Sequence, residues 1–158
     1  MSLVAASYND PDADESPVPN NSFWPALDPD AFRATQRIDT DVSTARLRHV
    51  IELGIDDINR QLRTWQAEQE TAGHITHDEV PLATWQTAGT YARLYTAAVF
   101  ATAHALLLER YRDYSATLDT NAERRTEAKD AAANDYRRDA RNAVSQILGK
   151  SHSTVELI

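Results

Sequence analysis

The sequence predicts an all-α fold: three long helices and a short N-terminal helix in an antiparallel bundle with extended termini. Apolar residues recur at helical spacing through most of the chain. Four glycines and six prolines among 158 residues leave room for long uninterrupted helices. No two segments alternate over the length that a stable sheet needs. The composition, 42% hydrophobic and 25% charged, is that of one globular domain.

The first two helices are predicted from caps and periodicity. Asp28 is an N-cap with Pro29 at the first helical position, and this short helix should run to about Gln36. Ser43 can cap the second helix, and Gly73 is placed to end it in the left-handed conformation. Its apolar positions advance in steps of three or four: Leu47, Ile51, Ile55, Ile58, Leu62 and Trp65.

The last two long helices follow a predicted loop over residues 73–81. A third helix, over about 84–114, is apolar nearly all round, as expected of a helix covered on several sides. A capping box at residues 120–123 opens the fourth helix, which should run to Leu148, before Gly149. Its predicted inner stripe is Ala132, Tyr136, Ala140, Ala143, Val144 and Ile147.

Charge and proline divide the chain into three parts. Residues 1–22 are predicted to be a flexible acidic arm, residues 23–150 the helical domain, and residues 151–158 a C-terminal docking tail. Residues 1–32 carry six acids and no Lys or Arg, which accounts for most of the net charge of −8. The remaining 16 basic and 18 acidic residues nearly balance, so sequence-specific DNA binding is not expected.

A metal site was considered at His74 and His77, which lie beside Asp78 and Glu79. No second ligand cluster exists to complete a tetrahedral site, and the chain has no cysteine, so a solvated loop is predicted instead. The sequence thus predicts no metal and no cofactor.

Catalysis is not expected either. His49 and Glu52 lie three residues apart but lack the order and the repeat of a carboxylate di-metal site, and a surface pair is predicted. His104, in the apolar helix, is predicted to be a core histidine bonded to a neighbour rather than a general base. No phosphate-binding glycine loop, nucleophile elbow or paired-carboxylate motif is present, so the chain is not predicted to be an enzyme.

Neither secretion nor membrane insertion is predicted. Residues 1–14 contain no basic segment followed by an apolar one, so synthesis in the cytoplasm is expected. The longest apolar stretch, residues 94–108, is short of the roughly 20 residues that a membrane-spanning helix needs.

Two sets of residues are predicted to form interfaces. The first comprises apolar anchors outside the long helices: Phe23, Trp24, Pro25 and Leu27 at one end, and Val155, Leu157 and Ile158 at the other. They could instead complete the chain's own core, but oligomerisation is the favoured interpretation. The second set, Arg138 and Arg141, lies on a helix of interleaved acids and bases, which is either a solvated, salt-bridged face or a surface that sets intersubunit register.

An ordered series of segments resembles the gpL-type head completion, or head stabilisation, proteins of contractile-tailed phages. The resemblance covers roughly residues 23–158, and the acidic arm before Phe23 has no counterpart in it. Tyr136 stands where the family pattern has tryptophan. The segments are Phe23-Trp24-Pro25 with Leu27-Asp28-Pro29, Ala45-Arg46-Leu47-Arg48, Leu107-Leu108-Glu109-Arg110-Tyr111-Arg112, and Arg138-Asp139-Ala140-Arg141 with Ala143-Val144, Ile147 and Gly149-Lys150.

The resemblance implies a head-tail connector-like structural subunit of the virion, without catalytic residues. It implies a ring, expected to be a dodecamer, under the portal protein at the capsid vertex. Such a ring adds after DNA packaging, retains the DNA, and presents a surface for the next neck protein, a head-closure or tail terminator protein, and for the tail. Packaged DNA passes through it without sequence-specific binding.

A soluble helical regulator, or a nucleic-acid-associated protein that uses the basic residues of the last helix, is the alternative function. Tight, salt-dependent DNA binding by the purified chain would favour this alternative.

Overall fold

The computed structural model describes residues 14–115 and 122–150, with the side chains at 111–126 excepted. Over these residues the protein is helical, which confirms the predicted all-α class. It contains α1 (Pro29–Gln36), α2 (Thr44–Thr71), a single 3-10 turn (His77–Glu79), α3 (Thr90–Ser115) and α4 (Ala122–Ile147). The only pairing of extended backbone in the described part is one antiparallel bridge between Val18 and Leu27.

The helices α1 and α2 begin and end as their caps predict. The Asp28 carboxylate accepts a hydrogen bond from the Asp30 N–H, and the Ser43 side chain accepts one from the Arg46 N–H. The residue after α2, Ala72, is followed by Gly73 at φ +99°, a conformation that favours glycine. The predicted inner stripe of α2 is buried, apart from the partly buried Trp65.

Helix α3 begins six residues later than predicted. Residues 84–89 form turns instead: the Gln86 N–H donates to the Ala83 carbonyl, and the Gln86 side chain accepts from the Ala83 N–H. Gly89 then adopts φ +77°, outside the helical region, immediately before Thr90. Local side-chain bonding and a left-handed glycine therefore replace the predicted first turns.

The central position of α3 is confirmed, because α1, α2 and α4 all pack against it. The α2–α3 contact is close at Gly54, where a Cβ atom would lie 3.0 Å from the Val99 carbonyl oxygen. Along the same antiparallel pair, Asn59 of α2 meets Tyr95 of α3. Side-chain volume at Gly54 is therefore limited by the backbone of the neighbouring helix.

Helix α4 returns along α3. Its residues Ala140, Ala143, Val144 and Ile147 are buried as predicted, but Ala133 rather than Ala132 is buried on the preceding turn. The Lys150 N–H donates to the Ser145 carbonyl after α4 ends, with Gly149 at φ +65°. The predicted capping box overlaps residues 116–121, which lie outside the described part.

The described part of the predicted acidic arm, residues 14–22, contacts the rest of the chain. The Val18 N–H donates to the Leu27 carbonyl at 2.7 Å and the Leu27 N–H to the Val18 carbonyl at 3.0 Å, and both side chains are buried. Arg48 of α2 pairs with Asp14 at 3.1 Å. Because Val18 fills an apolar site beside Leu27, this part of the predicted arm packs on the helical domain. Residues 1–13 lie outside the described residues.

Candidate functional site

The aromatic anchors predicted at the N-terminal end are buried inside the subunit. Trp24 stacks on Tyr95 with ring centroids 4.4 Å apart and on Trp65 at 5.8 Å, and Phe23 meets Trp24 edge to face at 5.0 Å. Phe23 and Trp24 are almost fully buried. Phe23 and Trp24 therefore complete the chain's own core, the alternative considered for them, because an aromatic cluster on α2 and α3 offers contact area within the chain.

Leu27 and Pro25 also contribute to the subunit's own core. Leu27 is buried and pairs with Val18, so it too is corrected from an exposed anchor to a core residue. Pro25 is half-buried, and its carbonyl oxygen accepts a hydrogen bond from Asn20 Nδ2 at 3.0 Å. Residues 18–27 therefore act as a strap, a term used below for this segment, that closes one side of the α2–α3 pair.

A small polar network fastens the strap to α2 and α3. The Tyr95 hydroxyl donates to Asn59 Oδ1 at 2.7 Å and accepts from Asn20 Nδ2 at 2.9 Å. Asn59 Nδ2 donates to Asn20 Oδ1 at 3.0 Å and completes the network. Burial raises the pKa of the Tyr95 hydroxyl well above its usual value, so this group remains a neutral donor.

His77 is a structural residue that binds the loop after α2 to the strap. Its Nδ1 atom lies 2.7 Å from the Phe23 carbonyl oxygen, its backbone N–H donates to the same oxygen at 3.2 Å, and its ring stacks on Trp24 at 5.8 Å. The prediction of a solvated loop is wrong at this position, because the imidazole is buried. Within residues 14–115 and 122–150, no group of three His, Asp or Glu side chains could hold a metal ion.

His104 has the environment predicted for a core histidine. Its Nδ1 atom lies 3.0 Å from Gln36 Oε1, and its ring stacks on Tyr136 with centroids 4.1 Å apart. Burial lowers the pKa of His104, which favours the neutral imidazole. Tyr136 supplies a large ring at this α3–α4 contact.

The charged surface of α4 is partly bound to its own chain. Arg137 forms a bidentate salt bridge with Glu109 of α3, with nitrogen–oxygen distances of 2.7 to 3.0 Å. Arg138 pairs with Asp135 at 3.1 Å on the exposed side of the helix, where Arg141 is exposed as well. Both predicted interface arginines therefore point to solvent from one face. This fits a solvated, salt-bridged face and a surface that sets intersubunit register equally well.

Among the described side chains, the most exposed large apolar ones lie on the loop between α2 and α3, for which the sequence predicts only a turn. Trp85 is 77% exposed, Ile75 71% and Leu82 41%. The exposure of Trp85 could have been predicted, because this tryptophan lies among turn-forming residues outside any apolar stripe. The predicted C-terminal anchors Val155, Leu157 and Ile158 lie outside the described residues.

These contacts describe a helical scaffold with apolar groups presented on one loop. No helix in the described ranges is long and apolar enough to cross a membrane. A family described as "Phage head completion protein (GPL)" matches residues 18–158. The chain belongs to this phage head completion protein family. The family match includes the beginning of the strap, in agreement with the packing of Val18 on Leu27.

A curated relative supports the family assignment. The "Head completion/stabilization protein" of Escherichia phage P2 is 31% identical over 148 residues, which cover 94% of this chain and 86% of that protein. No solved structure is significantly similar to this chain. The family match and this relative support a structural function in the phage head.

Proposed function

We propose that this chain is a ring-forming head-tail adaptor at the capsid vertex, placed under the portal protein. It stabilises the DNA-filled head and presents a docking surface for the next neck protein, either a head-closure or a tail terminator protein, and for the tail. The observation that carries this proposal is the head completion family match, which extends over almost the whole chain.

The distribution of apolar surface supports a role in assembly. The strap closes the core on the α2–α3 side, so the fold needs no partner to bury Phe23 and Trp24. Trp85 and Ile75 nevertheless remain exposed, and tryptophan in particular is enriched at interaction sites. A chain that carries two different apolar segments, this loop and residues 151–158, can join copies head to tail, and such contacts form a ring where the rotation between copies closes.

The charge distribution suits a channel through which DNA passes. Residues 33–158 hold 16 basic and 18 acidic residues, so a ring of these subunits lacks the excess of cations that releases counterions and grips a phosphate backbone. On α4, Arg137 and Arg138 face Glu109 and Asp135, which further reduces their attraction for phosphates. These pairs also count against the alternative of a nucleic-acid-associated regulator.

Cryo-electron microscopy of the neck in intact virions tests the adaptor role. The expected result is a ring of helical subunits between the portal and the tail that accommodates residues 14–150. Neck density that has no place for these helices would overturn the proposal. In that case salt-dependent DNA binding by the purified chain would be measured next, and tight binding would favour the regulator.

Complementation tests the role of the C-terminal tail. A phage lacking this gene is supplied with a chain that ends after Lys150. We expect unchanged helical circular dichroism, because α4 ends at Ile147, but loss of filled infectious heads. A full-length chain with Ser151→Ala and Ser153→Ala is the matched control and should complement. Normal titres from the truncated chain would refute the role of Val155, Leu157 and Ile158 as anchors.

A further inference from the structure

The loop between α2 and α3 presents large apolar side chains although the rest of the fold buries such groups. Of the three tryptophans, Trp24 is buried and Trp65 partly buried, whereas Trp85 is 77% exposed. Ile75 and Leu82 on the same loop are also exposed. Tryptophan in particular contributes much of the binding energy where it enters an interface. We call Ile75, Leu82 and Trp85 the loop surface.

The loop surface is exposed although hydrogen bonds and buried side chains fix the conformation of the loop. Between Ile75 and Leu82, His77 is bonded to the Phe23 carbonyl oxygen and Val80 is buried in the core. The Ile75 N–H donates to the Glu79 carboxylate at 2.7 Å. A loop fixed in this way pays little ordering entropy when it binds a partner.

The end of the loop is fixed as well. The Gln86 side chain accepts a hydrogen bond from the Ala83 N–H at 2.8 Å, which closes the turn that carries Trp85. Arg93 of α3 donates to the Ala88 carbonyl at 2.8 Å and to the Thr87 hydroxyl at 2.8 Å. The backbone therefore holds Trp85 away from the core rather than leaving it free to fold back.

Helix α4 ends at the same end of the bundle as the loop surface, and residues 151–158 follow it in sequence. Helix α4 runs antiparallel to α3, as the Arg137–Glu109 contact indicates, so the end of α4 lies toward the start of α3, which directly follows the loop. Eight residues span at most about 29 Å when extended. In an extended tail, Val155 and Leu157 lie on one face and Glu156 on the other.

We propose that the loop surface of one copy binds residues 151–158 of the adjacent copy. This inference rests on the proposed ring and names the contact that joins its subunits. Val155 and Leu157, on one face of the extended tail, cover Trp85 on the next chain. The two surfaces differ and lie on one polypeptide, so the contact is heterologous and repeats from copy to copy until the ring closes.

Disulfide cross-linking tests this contact directly, because the natural chain has no cysteine. The double variant Thr84→Cys with Leu157→Cys, which keeps Trp85, is supplied to a phage lacking the gene, and purified filled heads are oxidised and run on a non-reducing gel. Engineered cysteines cross-link only where their Cβ atoms come within about 4.5 Å. We expect a ladder of dimers and higher oligomers. A fast-migrating monomer would mean that the tail binds its own loop, and absence of any cross-link would mean that it binds neither; both results overturn the proposal.

The matched control is Ala45→Cys with Leu157→Cys. Ala45 is exposed at the start of α2, at the opposite end of the bundle from the loop, and should give no ladder. Immunoblotting of the same heads shows separately whether the chain is present in them, so a failure of the adaptor role is distinguishable from a failure of this contact.

A second variant measures the contribution of the tryptophan. Trp85→Ser should leave the thermal unfolding midpoint of the purified chain unchanged, because the ring is largely in solvent, but should lower the yield of filled heads by about tenfold or more. Ala83→Ser, an exposed change on the same loop, is the control and should have no effect. A normal yield with Trp85→Ser would overturn the role of the loop surface.

Discussion

His77 Nδ1 lies 2.7 Å from the Phe23 carbonyl oxygen, and this bond connects the loop after α2 to the strap. The same oxygen accepts the His77 backbone N–H, so one carbonyl bridges two segments that are far apart in sequence. Trp24, the next residue of the strap, stacks on the imidazole. The loop that presents Trp85 and the strap that covers the core are therefore parts of one connected structure.

Replacement of His77 should weaken both segments. In His77→Ala the Phe23 carbonyl loses its side-chain donor and a cavity opens beside Trp24, so we expect the free energy of unfolding to fall by about 1–3 kcal/mol. Urea denaturation followed by circular dichroism measures this change. His49→Ala, an exposed histidine on α2, is the control. Equal stability of the two variants would contradict the structural role of His77.

Gly54 permits the close contact between α2 and α3. A Cβ atom there would lie 3.0 Å from the Val99 carbonyl oxygen and 3.1 Å from Val99 Cγ1, so Gly54→Ala must push the helices apart. We expect a loss of about 1–3 kcal/mol despite the higher helix propensity of alanine. Thr64→Ala, at an exposed position of the same helix, should be neutral or slightly stabilising. A more stable Gly54→Ala protein would show that the helices separate without cost.

The buried Tyr95 hydroxyl should make the free energy of unfolding decrease at alkaline pH. Its pKa is raised by burial, so the folded chain holds it neutral where an unfolded chain ionises it, near pH 10. Stability from this group is complete below pH 10 and should fall as the pH rises above it. We expect Tyr95→Phe to be less stable than the natural chain by about 1–2 kcal/mol at pH 7, because Asn20 and Asn59 lose their partner.

Urea midpoints at a series of pH values from 8 to about 11 measure the Tyr95 effect. The difference in urea midpoint between the natural chain and Tyr95→Phe should become smaller above pH 10. The reason is that only the natural chain carries the buried phenol. A difference that stays constant over this range would argue against neutral burial of the hydroxyl.

The partial burial of His104 should lower the free energy of unfolding in acid, whereas Tyr95 lowers it in alkali. Burial lowers its pKa, so the unfolded chain binds a proton first as the pH falls below about 6.5. Stability from the neutral imidazole is therefore complete above that pH and is lost as the pH falls. His104→Gln should flatten this part of the stability curve between about pH 7 and 5. An unchanged slope in His104→Gln would assign the acid sensitivity to other groups.

The Arg137–Glu109 pair joins α3 to α4 but should contribute little energy. The side chains are 38% and 40% exposed, so water screens the attraction and we expect a coupling energy below about 1 kcal/mol. A double-mutant cycle with Arg137→Ala and Glu109→Ala measures this coupling. The more exposed pair Arg138 and Asp135 serves for comparison and should show a coupling close to zero. A coupling well above 1 kcal/mol for Arg137 and Glu109 would indicate that the pair is more desolvated than its exposure implies.

The positions of the helices could be predicted because they depend on neighbouring residues. Asp28 and Ser43 act as caps where the sequence predicted them, and α2 buries the stripe that its spacing indicated. The start of α3 was missed because the bonds of Gln86 to Ala83 compete with the helix, and periodicity does not detect this competition. The shift of burial on α4 to Ala133 depends on how that helix is rotated against α3, which no local pattern specifies.

The sequence by itself determined the all-α class, the order of the helices and the resemblance to head completion proteins, because caps, periodicity and ordered segments are properties of consecutive residues. The tertiary structure decided which apolar residues are inside. Phe23 and Trp24 have the chemistry of interface anchors and of core residues alike, and only the position of Tyr95 and Trp65 beside them makes them core. Trp85 has the same chemistry, but none of the described helices covers it, so its ring stays exposed.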